Sequence, residues 1–322
     1  MTLPRPIHAV PWKALVGFLA IGFLTSEGGT GVSAAAEEAV ELQSPHFRLG
    51  VPAAHRRLGE QILEIAESAR QAVLDRMPQA MNERVGLAWC ATESDFYGRL
   101  GEPHGHWLAA AVPSMGRIYL NGPQLQRLDR ARFHQALVHE FVHVYLGRVL
   151  HDPIPLWLNE GLAMVVAGQW DLGDAAALAA DSLFGALLPA ERLADRFPRE
   201  PAAQARAYRQ SYSMTAFLLD LRYPTGGVSG LIADLATSAG QSAIQPLLND
   251  PRWVADFDRL WRRKWVRPGR ITLILTSSGI FWILVTGLLM VAYMHKRRTR
   301  KRREARWALE EEFTYHDDGF DD

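Results

Sequence analysis

His139-Glu140-Phe141-Val142-His143 is the stretch on which the reading of this 322-residue chain turns. It lies in a run where Phe133, Leu137, Phe141, Val144 and Leu146 are apolar, a helical pattern that Gly147 is expected to end. Residues four apart share a helix face, so His139 and His143 can aim imidazole nitrogens at one ion, with Glu140 beside it. Two imidazoles suit Zn²⁺. A catalytic zinc takes three protein ligands and leaves a fourth position for water, so one more ligand is required.

The segment Trp157-Leu158-Asn159-Glu160-Gly161-Leu162-Ala163 opens a second apolar run to Val166, with Gly168 as its expected helix end. Residues 147–156, which include Pro153 and Pro155, are enough for a short connection that folds the second helix back on the first. That arrangement brings Glu160 to the ion as the third ligand.

Together the two segments resemble those of a gluzincin metallopeptidase of the peptidase-MA-like superfamily. His139-x-x-x-His143 with Glu140 is similar to the thermolysin pattern, and Trp157–Ala163 is similar to the zinc-glutamate motif of the aminopeptidase N family. The resemblance implies a zincin-like domain in which His139, His143 and Glu160 bind Zn²⁺ and Glu140 is the general base. It also implies a tyrosine that stabilises the transition state. Tyr208-Arg209-Gln210-Ser211 fits that place loosely, and Tyr212 shares the same helix face; Tyr208 is preferred.

Three departures stand out. Sixteen residues separate His143 from Glu160, which requires a tight connection. Met164 occupies the position where thermolysin-like proteins carry a histidine-orienting Asp, leaving Asn159 or Asp152 to orient a ligand imidazole. No Gly-x-Met-Glu-Asn motif for a free amino terminus is present, which favours an endopeptidase over an aminopeptidase. The implied partner is a peptide or protein substrate, and an edge strand at Leu108–Val112 or Arg117–Leu120 is expected to take its backbone. The competing reading is a catalytically silent metallopeptidase-like binding or scaffold module in a cell-envelope complex, against which the intact Glu140 argues.

Around this centre, His46–Val51 reads as a first strand and Ala53–Met77 as an amphipathic helix stopped at Pro78; Val85–Ala91, Leu108–Val112 and Arg117–Leu120 read as further strands. Pro113–Gly116 reads as a turn. From Asp129 onward the pattern is helical. The fold class is therefore α+β: an N-terminal mixed sheet with helices, a helical lobe, and one C-terminal transmembrane helix.

The ends of the chain read as addresses. Arg5 and Lys13, the apolar run Ala14–Leu24 and the small residues Val32–Ala36 have the order of a secretory signal, assigned to residues 1–36. The exported domain is assigned to 37–268. Residues 271–294 contain no charged side chain and are expected to cross the lipid bilayer. The basic cluster Lys296–Arg303 and the acidic tail Glu304–Asp322 then form a cytoplasmic segment at 295–322, where Trp307 and Phe313 are candidate contacts for a cytoplasmic partner.

Composition narrows the class further. With 35 basic and 35 acidic residues the chain lacks the basic excess of a nucleic-acid binder, so no nucleic acid is expected as a partner. One Cys, Cys90, excludes an intrachain disulfide, and it reads as a small buried hydrophobe. His104, His106, His134 and His151 read as loop or structural groups. Trp261 and Trp265 suit either a membrane interface or the packing of the last helix of the domain.

Overall fold

The computed structural model describes residues 39–101, 107–125, 129–237, 244, 246, 248–267 and 282–298. Five strands form one mixed sheet: β1 (Ala39–Gln43), β2 (Phe47–Pro52), β3 (Val85–Cys90), β4 (Ala109–Val112) and β5 (Arg117–Asn121). Their spatial order is β1-β2-β3-β5-β4, with β2, β3 and β5 parallel and the outer two pairs antiparallel. The alternation in β2 explains its placement. Phe47, Leu49 and Val51 are buried on the core face while Arg48 and Gly50 face outward.

Helix α1 (Arg56–Leu74) covers the core face with Ile62, Leu63, Ile65, Ala66, Ala69 and Val73. Helix α4 (Arg130–Val149) packs beside it and also lies against β4. Across the sheet, α2 (Glu93–Leu100) buries Phe96 and Tyr97 against Cys90, Val112 and Tyr119. Short α3 (Gly122–Leu125) follows β5.

The helical lobe begins with α5 (Leu156–Ala167), followed by α6 (Leu172–Leu183), short α7 (Arg192–Asp195), α8 (Pro201–Arg222), α9 (Gly227–Ala236) and α10 (Pro251–Trp261). Gly161 decides the contact between α5 and α8. A Cβ there would overlap Thr215 Oγ1 and the Ser211 carbonyl, so only glycine lets the two backbones approach this closely. The far side of the lobe is aromatic: Trp157, Phe217 and Trp253 all contact Phe257, and Trp261 donates from Nε1 to Ser213 Oγ at 3.0 Å.

Strand β1 and helix α2 were not anticipated, although Thr92 caps α2 by accepting from the Asp95 amide and Gly101 ends it in the left-handed region, both ordinary sequence signals. Gly147 does not end α4, which runs on to Val149; it is the point where α4 meets Pro113, where a Cβ would clash. Gly168 does end α5, at φ 67°. Trp261 belongs to the core, whereas Trp265 is 41% exposed.

The expected signal segment, His104, His106 and the acidic tail lie outside the described residues, as does the first part of the expected membrane span. Residues 282–298 are helical, and Trp282, Ile283, Leu284, Leu288, Leu289, Met290 and Val291 are exposed. Among the described residues no helix is long and apolar enough to cross a membrane.

Candidate metal centre

Helices α4 and α5 meet across the connection Leu150–Pro155, and the meeting brings three donor side chains together. His139 Nε2 and His143 Nε2 lie 3.1 Å apart, and Glu160 Oε2 lies 3.4 Å from the first and 3.6 Å from the second. Metal–nitrogen and metal–oxygen bonds of about 2.0–2.1 Å in tetrahedral geometry give a donor triangle with edges of about 3.3–3.4 Å. The triangle fits that shape. The set is also chemically apt for zinc, with two borderline-soft imidazoles and one carboxylate, and it is the metal-type cluster found among the described residues.

Electrostatics bind the three groups to one another. Burial works against a charged His143, yet the Glu160 carboxylate outweighs it and raises the imidazole pKa to about 9. Burial likewise opposes ionised Glu160, but His143 and then His139 hold its carboxyl far below the usual range. A largely buried carboxylate with two imidazoles turned to it is a ready-made cation site.

The remaining nitrogen of each imidazole is also engaged. His143 Nδ1 lies 3.3 Å from Asn159 Oδ1, in agreement with the expectation for Asn159, whereas Asp152 is exposed in the connection. His139 Nδ1 lies 2.7 Å from Gln169 Oε1, a partner that sequence reading missed. Gln169 is nine residues beyond Glu160 and follows the left-handed Gly168, so its reach depends on how α5 ends.

Glu140 sits next to the triangle on α4. Its Oε2 accepts from the Ala111 backbone N–H of edge strand β4 at 2.7 Å. Burial first of all raises the Glu140 pKa, against the pull of both imidazoles and the Ala111 hydrogen bond. A carboxylate whose proton affinity is raised in this way suits a general base.

The two tyrosines of α8 separate clearly. Tyr208 packs edge-on against Phe197 at 5.1 Å; burial, followed by the carboxylates of Glu160 and Glu140, pushes its pKa far upward, so it stands as a protonated donor near the cluster. Tyr212 stacks on Trp170 at 4.4 Å, and after burial the charge that acts on it is Asp174, outside the cluster. The other histidines stay apart: His134 Nε2 meets Ser68 Oγ at 3.3 Å and His151 is exposed. Cys90 is fully buried, and burial pushes its thiol up to about 11.

Residues 122–247 match the Peptidase MA superfamily. The matched stretch contains α4, α5 and α8, and therefore the donor triangle, Glu140 and both tyrosines. The crystal structure of a mutant M1 zinc metallopeptidase from Deinococcus radiodurans aligns with 70% of this chain at 15% identity and a TM-score of 0.32. The alignment covers 51% of that protein, so the chain corresponds to about half its length. A search among curated proteins finds no match.

Proposed function

We propose that the protein is a zinc-dependent peptidase anchored in a membrane, with its catalytic domain on the periplasmic or extracellular side and its C-terminus in the cytoplasm. The observation that carries the reading is the coincidence of the His139–His143–Glu160 triangle with Glu140, which is hydrogen-bonded to an edge strand. His139, His143 and Glu160 would hold the zinc. Bound there, zinc supplies an activated water and polarises the scissile carbonyl.

The chain's own residues do the rest. Glu140 takes the proton of the attacking water and hands it to the leaving amine. Strand β4 aligns the substrate: the outward groups of Ala109 and the outward carbonyl of Ala111, which face away from β5 in the alternating antiparallel ladder, receive a peptide backbone as an added strand, while the Ala111 N–H is held by Glu140. Tyr208 donates a hydrogen bond to the carbonyl oxygen as charge develops on it. The lack of a Gly-x-Met-Glu-Asn motif to hold a free amino terminus supports endopeptidase over aminopeptidase activity.

Anchoring is supported by the uncharged stretch 271–294, by the basic residues that follow it and by the exposed apolar side chains within 282–294. The deciding experiment measures zinc by mass spectrometry, and cleavage of a mixed peptide library, for the purified full chain and Glu140→Gln. About one zinc per chain is expected in both, with cleavage only by the parent. A parent that binds no zinc overturns the ligand assignment, and a parent that binds zinc without cleaving any peptide establishes a binding module instead.

A further inference from the structure

The end of α5 is held by an unusual set of side-chain contacts. Gln135 lies one turn before His139 on the face of α4 that carries the metal-type histidines. Its Nε2 donates to the carbonyls of Ala167 at 3.2 Å and Gly168 at 3.0 Å. From the turn that follows α1, Arg76 Nη1 donates to the Val166 carbonyl at 2.7 Å. The Gln169 amide closes the helix end on the Met164 carbonyl at 2.9 Å. The last carbonyls of α5 are thus clamped to the elements that carry or support His139, and the residue emerging from the clamp is Gln169.

We infer that Gln169 is a positioning residue for metal binding, a neutral carboxamide that fixes His139 from behind in the role a carboxylate commonly fills. This rests on the zinc reading above. His139 Nε2 belongs to the donor triangle, so a metal there requires Nε2 to be unprotonated and places the ring proton on Nδ1. That proton needs an acceptor, and Gln169 Oε1 at 2.7 Å supplies one. Residue Met164, where a histidine-orienting Asp stands in thermolysin-like sequences, has no acceptor of that strength to offer. Gln169 takes over the task from a different place in the chain, the residue after the helix-ending glycine. Asn159 serves His143 in the same way, so both imidazoles are backed by amides and the only carboxylate in the triangle is Glu160.

The test titrates the purified full chain, in detergent and stripped by chelator, with zinc in competition with a chromogenic chelator. Gln169→Leu keeps much of the side-chain volume and removes the acceptor; it should weaken zinc binding about 10- to 100-fold. Gln169→Glu restores an acceptor at the same reach and should return the affinity at least to the parent level. Gln169→Asn, one methylene shorter, should behave like Gln169→Leu and serves if that variant fails to fold. Equal zinc affinity in the parent and the acceptor-deficient variants, or no rescue by Gln169→Glu, overturns the inference while leaving the zinc reading intact. A parent that takes up no zinc overturns both.

Discussion

At the scale of single residues, the chemistry depends on the way burial and charge assign different states to similar groups. Glu140 and Glu160 are both carboxylates beside the same two imidazoles. Glu160 is pulled far below its usual range, while Glu140, whose burial prevails, is pushed above it. One therefore suits a permanent ligand and the other a proton carrier. The tyrosines divide in the same manner, and a substitution separates them. Tyr208→Phe should lower kcat about 100-fold, the loss of roughly 3 kcal/mol expected for one hydrogen bond to a developing oxyanion, with KM little changed. Tyr212→Phe retains the ring that stacks on Trp170 and should leave steady-state peptide hydrolysis unaffected.

At the scale of elements, the site depends on two helix contacts and one turn. The contact of α5 with α8 is governed by Gly161, adjacent to Glu160 in sequence. Gly161→Ala forces a methyl against Thr215 and Ser211 and should cost about 2–3 kcal/mol by overpacking, measured by urea unfolding. It should also weaken zinc binding, because the helix that moves carries Glu160. The turn between β1 and β2 is tied to α1 through Glu67. Ser44 Oγ and the His46 backbone N–H donate to Oε1 at 2.6 and 2.9 Å, and His46 Nδ1 lies 2.8 Å from Oε2. Burial opposes the charge on Glu67, but the hydrogen bonds from Ser44 and His46 prevail and lower its pKa from the ordinary 4.5. A depressed folded pKa means that this stabilisation is present above pH 4.5 and lost as the pH falls through the folded value. Since the pair is partly exposed, Glu67→Gln should cost only about 1 kcal/mol at neutral pH. Urea unfolding should show that difference shrinking below pH 4.5, where the parent carboxyl itself becomes protonated.

At the scale of the whole molecule, the sheet and the helical lobe share a single continuous hydrophobic cluster, which runs from Leu42 in β1 to Val266. The triangle lies where α4, packed on the sheet, meets α5, packed on α8. Membrane attachment is proposed to act outside this unit. The full chain is expected to sediment with membranes and a chain ending at Arg267 to remain in the supernatant, and a reporter fused after Asp322 should be cytoplasmic. Sedimentation of the truncated chain with membranes would remove residues 271–294 as the anchor.

What the sequence determined by itself is local. The His139-x-x-x-His143 spacing places both imidazoles on one turn of helix, and Glu140 and Glu160 are recognisable because short-range helical periodicity and the resemblance both point to them. The strands β2, β3 and β5 were legible for a similar reason, since alternation and apolar runs are properties of adjacent residues. Strand β1 and helix α2 carried weaker signals: β1 acquires its order from pairing with β2, and α2 is a short helix whose capping residues were its main mark. Tertiary structure alone decided which tyrosine faces the cluster, that the Ala111 amide holds Glu140, and that Gln169 stands behind His139. Each of these relates residues about 30 to 70 positions apart in the chain, through a hydrogen bond or through charge. Gly168 marks the end of α5 in the sequence, but the course of Gln169 beyond it, like the close approach of α5 and α8 at Gly161, is set by packing that no local pattern encodes.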